Sequence, residues 1–233
     1  MFEVRIQEIK ILPDILLIQN LIKAARLYSE YADKVVLIVF AKSKIGPFAA
    51  YEFWAGKENF QHLAGIKYPG GAEVFYNKCL TGTVDKKDIV PAENLKTTSS
   101  KIEVLPGTLD LKNAKIYKIG KKDAGTMKNK FSVGIGNMQS LMGLDRRGRI
   151  LPIPVTVMNR KITDFCSEIF DVFLVMTKDR TDIKYRNILF EKTLSIVEKA
   201  DFPREILTLI EFEADDIETD YSEEAACTKE KEV

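Results

Sequence analysis

The chain of 233 residues is 45% hydrophobic and 30% charged, enough apolar material for one large globular domain or two small ones and too much for a disordered chain. Its formal charge of +1, from 35 Lys and Arg against 34 Asp and Glu, argues as an average against nucleic-acid or membrane-surface partners. That average conceals a split: residues 211–233 hold ten acidic groups and two lysines, a net of −8, which leaves +9 for residues 1–210.

The apolar run Val35 to Phe40 is far shorter than the roughly 20 residues of a membrane span. The N-terminal MFEVRIQEIK contains Glu3 and Glu8 and no small-residue cleavage site, so it does not read as a secretory signal. Three well-separated cysteines, Cys79, Cys166 and Cys227, fit reduced thiols and a cytoplasmic setting. One histidine, His62, cannot build a His-rich metal site, and no metal or other cofactor is expected.

In chain order, Pro13 to Lys34 spaces Ile15, Ile18, Leu21, Ile22, Ala25 and Leu27 as an amphipathic helix. VVLIVF (35–40) and FAAYEFWA (48–55), separated by Gly46-Pro47, predict a β-hairpin with a buried first strand. KENFQHLAGI (57–66) fits a short helix with Phe60, Leu63 and Ala64 inward and His62 at the edge of the stripe. AEVFYNKCLTG predicts a second helix stopped by Gly82. DKKDIV and KTTSSKIEVL suggest two more, the second stopped or kinked by Pro106-Gly107.

After Asn113 the pattern turns to strands: AKIYKIG, FSVGIGN, ILPIPVTVMN, EIFDVFLVMT and YRNILFE. Pro152 and Pro154 place theirs at a sheet edge or turn that face outward. PREILTLIE (203–211) closes with a helix, Asp201 just upstream of its N-terminus. Helices and a hairpin followed by an antiparallel sheet make an α+β plan, with one domain over 1–212 and an acidic tail over 213–233 that reads as disordered.

Charge clustering is the strongest chemical signal. Lys112 to Lys161 carry a net +10 in 50 residues, including Lys115, Lys118, Lys121, Lys122, Lys128, Lys130, Arg146, Arg147 and Arg149. Such density is an electrostatic footprint for nucleic acid, although lysines also serve to protect edge strands. His62 has the side chain for proton transfer near neutral pH, although by spacing alone a lone histidine at a helix edge is more often a structural residue. The glycines of GIGNMQS read as a strand end and turn rather than a phosphate loop.

The stretch GKENFQHLAGIKYPGGAEVFYNKCLTGTVDKKDI (56–89) resembles phage-associated nucleases of the barnase/EndoU/colicin/RelE-like superfamily. The matching elements are NFQHLAG with His62, VFYNKCL with Tyr76, DKKDIV, and TTSSK with Lys101, and their order covers about Val35 to Glu191. The resemblance implies a metal-independent ribonuclease of the phage or mobile-element effector or toxin type. It implies His62 as proton carrier, Lys101 or Lys178 as phosphorane stabiliser, and Lys178, Tyr185 and Arg186 as phosphate contacts. RNA is the expected partner, with an inhibitor or host protein as a further one and no membrane. The competing expectation is a non-enzymatic nucleic-acid-binding or anti-defence protein that uses the 112–161 block or the acidic tail.

Overall fold

A computed structural model describes residues 13–43, 46–125, 131–192 and 202–211. The expected tail over 213–233, together with Lys128, Lys130, Asp201 and Cys227, lies outside the described residues.

The run Val35 to Phe40 becomes the interior of β1 (Lys34–Ala41), which pairs antiparallel with β2 (Ala49–Ala55) on one side and β7 (Phe170–Lys178) on the other. Continuous β-branched residues suit a strand buried on both faces. Val36 and Ile38 enter the core beneath the helices, whereas Val35, Leu37 and Val39 enter a second core on the opposite face. The sheet continues through β3 (Lys118–Lys121), β4 (Val133–Gly136), β5 (Leu141–Asp145) and β6 (Ile153–Met158), in the order β2-β1-β7-β3-β4-β5-β6. β8 (Asn187–Glu191) pairs with β7 alongside β3. Every neighbouring pair is antiparallel. β6 ends the order, as its prolines require, but Pro152 and Pro154 are buried rather than turned outward. The Trp54 amide donates to the Pro152 carbonyl at 2.8 Å, so the sheet curls until its two ends touch.

Helices α1 (Asp14–Tyr28), α2 (Asn59–Ala64), α3 (Ala72–Thr81) and α4 (Leu95–Leu109) cover one face. On α1 the buried stripe is Leu17, Leu21, Ala24, Ala25 and Tyr28, while Ile15 is exposed, so the core-facing side is rotated from the predicted one. Tyr28, Tyr31, Phe60 and Tyr76 form an edge-to-face aromatic cluster in which the Tyr28 hydroxyl donates to Gly56 O at 2.9 Å and Tyr31 to Leu109 O at 3.0 Å. The whole is an α+β fold with an antiparallel, curled sheet.

Three further expectations change. α4 runs three residues past Pro106, because Leu105, Pro106 and Leu109 are buried on its core side and Thr108 Oγ1 donates to Val104 O at 2.8 Å in the last turn. The segment LMGLD, read as part of no element, is strand β5 between β4 and β6. DKKDIV and the start of AKIYKIG are 3₁₀ turns, so the strand there is confined to Lys118–Lys121.

On the opposite face α5 (Arg204–Leu209) and its flanks set Phe202, Ile206 and Ile210 against Val35, Leu37, Leu174 and Met176. A third, smaller core gathers Phe131, Leu141, Ile162, Phe165 and Cys166.

Candidate active site

Strand register assembles the site. Trp54 lies opposite Val35, which lies opposite Lys178; one step along, Glu52 lies opposite Leu37, which lies opposite Met176. With side chains alternating along each strand, Glu52, Trp54 and Lys178 share the face that carries the second core. Tyr185, between β7 and β8, completes it. Its amide donates to Leu209 O and its carbonyl accepts from the Glu211 amide, both at 2.8 Å, so the segment after α5 holds its main chain. The ring is fully buried in the second core, and the hydroxyl donates to Glu52 Oε1 at 2.5 Å. Lys178 Nζ sits 4.7 Å from the centre of that ring and donates to Ile183 O at 3.0 Å.

These groups open on a cleft of about 950 Å³ lined by Glu52, Trp54, Lys178 and Arg180 and, from the β5–β6 connection, by Arg149, Ile150 and Leu151. The Arg180 guanidinium lies 5.5 Å from the Trp54 ring centre, and Arg149 approaches Glu58 at 3.6 Å. Burial, reinforced by the Glu52 carboxylate, drives the Tyr185 hydroxyl far above its ordinary range, so at neutral pH it stays protonated and donates. Among the described residues, only Oε1 of Glu52 is engaged by a hydrogen bond. The cleft therefore presents a carboxylate oxygen and an ammonium from one wall, the pairing that proton abstraction and anion stabilisation need.

The four residues expected to be catalytic fall into two groups. Lys178 lines this cleft, whereas Tyr185 lies buried behind it, packed against Lys178 and bonded to Glu52. Lys101 does not line it: its chain folds over α2, with Cδ 2.9 Å from where a Cβ on Gly65 would lie, and it lines a separate hollow of about 500 Å³ with Thr97, Ser100 and Arg160. Burial holds the Lys101 ammonium below the ordinary lysine range, with Glu93 opposing the effect. Gly65, at φ 69, ends α2 in the left-handed conformation that a glycine tolerates, and its carbonyl accepts from Thr98 Oγ1 at 2.8 Å. His62 is exposed on α2, four residues after Glu58 and three before Gly65, hence on the same helix face as both. That face runs from the cleft wall toward Lys101.

The basic block is divided too. Lys118 is half-buried and bonded to Asp171, and Lys122 lies 5.5 Å from the Phe131 ring centre. Lys115, Lys121, Arg146 and Arg147 are exposed, and Arg149 reaches the cleft. Arg186 pairs with Glu211 at 2.7 Å. Tyr76 belongs to the aromatic cluster of the main core. Burial pushes the Cys79 thiol up to about 12 and the Cys166 thiol to about 11, so both are inert packing groups.

Glu52 is the site residue that sequence reasoning passed over. A carboxylate amid the apolar and aromatic residues of a predicted strand, AYEFWA, was the available signal. Among the described residues, no cluster of three or more His, Cys, Asp or Glu side chains could hold a metal ion. None of the described helices is long and apolar enough to cross a membrane.

No curated protein and no solved structure matches the chain. The sequence profile of one family, described as phage-Barnase-EndoU-ColicinE5/D-RelE like nuclease4, matches residues 20–194, from within α1 to just beyond β8. The match takes in the hairpin, α2 to α4, the whole sheet and all the cleft residues named above, while α5 lies outside it, and on that extent the chain belongs to this nuclease family.

Proposed function

We propose that the protein is an endoribonuclease that cleaves RNA without a metal ion, through attack of a ribose 2′-hydroxyl on the adjacent phosphate. The observation that carries this reading is that Glu52 and Lys178 line one cleft of a nuclease-family chain, with buried Tyr185 bonded to Glu52 and packed against Lys178. Glu52 takes the 2′-hydroxyl proton, O2′ bonds to phosphorus, and Lys178 balances the charge on the phosphorane. The P–O5′ bond then breaks, and the leaving 5′-oxygen takes a proton from His62, whose exposed position one helical turn from Glu58 of the cleft wall supports the assignment. Tyr185 holds Glu52 in place. Exposed Arg146 and Arg147 add charge for the RNA backbone. The phage in the family's description supports a phage or mobile-element effector or toxin acting in the cytoplasm.

Incubation with total RNA in EDTA, followed by end-group analysis, tests the reading: fragments ending in 2′,3′-cyclic phosphate are expected, and no fragments would overturn it. Substrates with a 5′-bridging sulfur, which leaves without protonation, separate the roles. They should restore cleavage by His62→Ala and not by Glu52→Gln.

A second reading, nucleic-acid binding without turnover, is favoured by the fact that Tyr185 already occupies one oxygen of Glu52. It predicts salt-sensitive RNA binding and intact RNA in the same assay.

A further inference from the structure

We propose that Trp54 and Arg180 form a nucleobase-stacking subsite beside the reacting phosphate, an inference that rests on the RNA-cleaving reading. Trp54 follows Glu52 by two residues on the same face of β2, so their Cα atoms lie about 7 Å apart. It also shares a cross-strand row with Lys178, β1 between them, which places the two about 10 Å apart across the sheet. A base on the indole and its phosphate between Glu52 and Lys178 are therefore within the span of one nucleotide.

The surroundings suit a flat, polarisable ligand. Trp54 is half-buried in the cleft wall, and among the described residues its indole N–H has no acceptor. Arg180 is exposed, makes no ion pair among the described residues, and holds its guanidinium 5.5 Å from the indole centre. Tryptophan with arginine is the combination on which unpaired bases stack irrespective of sequence. Ile150, from the β5–β6 connection, lines the same cleft at 90% exposure. An isoleucine so wetted gains from a planar apolar cover, which a stacked base supplies. Cation, indole and aliphatic side chain thus meet where the backbone-binding groups end.

Trp54 is the sole tryptophan of the chain, so its emission reports on this subsite alone. The probes are 2′-O-methyl oligoadenylate and oligouridylate, which lack the attacking hydroxyl, with inorganic polyphosphate as a baseless polyanion, all in EDTA at low salt. Saturable quenching by both oligonucleotides and none by bound polyphosphate is expected. Fluorescence anisotropy of end-labelled oligonucleotide should show Kd raised about 5- to 100-fold by Trp54→Ala, from the usual strength of base stacking on an aromatic ring. Trp54→Phe and Arg180→Ala should give smaller increases, and these milder variants carry the test if Trp54→Ala fails to fold by circular dichroism. Equal quenching by polyphosphate would overturn the stack. So would oligonucleotide binding with unchanged emission and wild-type Kd in the variants, an outcome that leaves the ribonuclease reading standing. No oligonucleotide binding by the wild type would overturn both.

Discussion

Tyr185 and Glu52 stand 133 positions apart in the chain and are joined by a 2.5 Å hydrogen bond across the outer face of the sheet. The bond ties the β7–β8 connection to β2 and fixes the carboxylate through a ring that is itself buried. Tyr185→Phe should lower stability by about 1.5–3 kcal/mol, the range for a lost hydrogen bond to a charged group. Cleavage should fall with it, since Glu52 loses its positioning partner. Glu52→Gln keeps an acceptor for the tyrosine, so it should melt near the wild type yet lose about 10²- to 10⁴-fold in rate, the usual share of a proton-transfer group. Urea melts and single-turnover cleavage check both.

Buried tyrosines make the fold sensitive to alkali. Burial raises the hydroxyls of Tyr28, Tyr31, Tyr117 and Tyr185, and brings Tyr76 to about 12. An acid with a raised folded pKa holds its proton longer in the folded state. Its stabilising contribution is thus whole below the unfolded value near 10 and is lost as pH climbs toward the folded one. Thermal melts should be flat in this respect to about pH 9 and fall steeply above 10. A melting temperature unchanged at pH 11 would contradict the burial of these hydroxyls.

Asp171 contributes on the acid side. Burial pushes its carboxyl up, but hydrogen bonds from Lys118 and Lys192 together outweigh burial and leave it below the usual range. A depressed carboxylate contributes stability above its unfolded pKa, near 4, and loses it as pH falls through the folded value. Asp171→Asn should cost about 1 kcal/mol at pH 7, discounted for partial exposure. The cost should shrink as pH drops below 4, which paired denaturation curves at pH 7 and pH 3 would reveal.

The arginines of the β5–β6 connection and the lysine of β3 should behave differently toward RNA. Arg146 and Arg147 are exposed, so replacing both with alanine should reduce the slope of log K against log salt by about two. Lys118→Ala, which leaves Asp171 with Lys192 as its remaining partner, should lower stability and leave that slope nearly unchanged. Salt titrations of RNA affinity distinguish the two effects.

Deleting residues 213–233 removes nine acidic residues and two lysines. If that charge competes with RNA for basic groups, the truncated protein should bind more tightly at low salt and with a steeper salt dependence. Affinity equal to that of the full chain would assign the segment a solubilising role only.

Elements with local causes were legible. The β-branched run of β1, the αL glycines that end α2 and α3, and the apolar spacing of the helices sit in a few adjacent residues. β5 was not, because its five residues include Gly143 and lack a polar alternation, both faces being buried. The site was half legible. Lys178 and Tyr185 were named, but only register puts Lys178 on the face of Glu52, and no local pattern links positions 52 and 185, which one hydrogen bond joins. Lys118 is the converse case: in sequence it belongs to a lysine run, and its carboxylate partner is 53 residues away.

The strap of residues 202–211 also bears on when the cleft becomes complete. Synthesis delivers β2 early and β7 late, yet the main-chain partners of Tyr185 come from Leu209 and Glu211, among the last described residues to emerge. Until they clear the ribosome, the tyrosine that donates to Glu52 has neither its backbone anchors nor the cover of Ile206 and Ile210. The carboxylate is therefore ordered only once residues 209–211 have been made and packed, well after β2 itself.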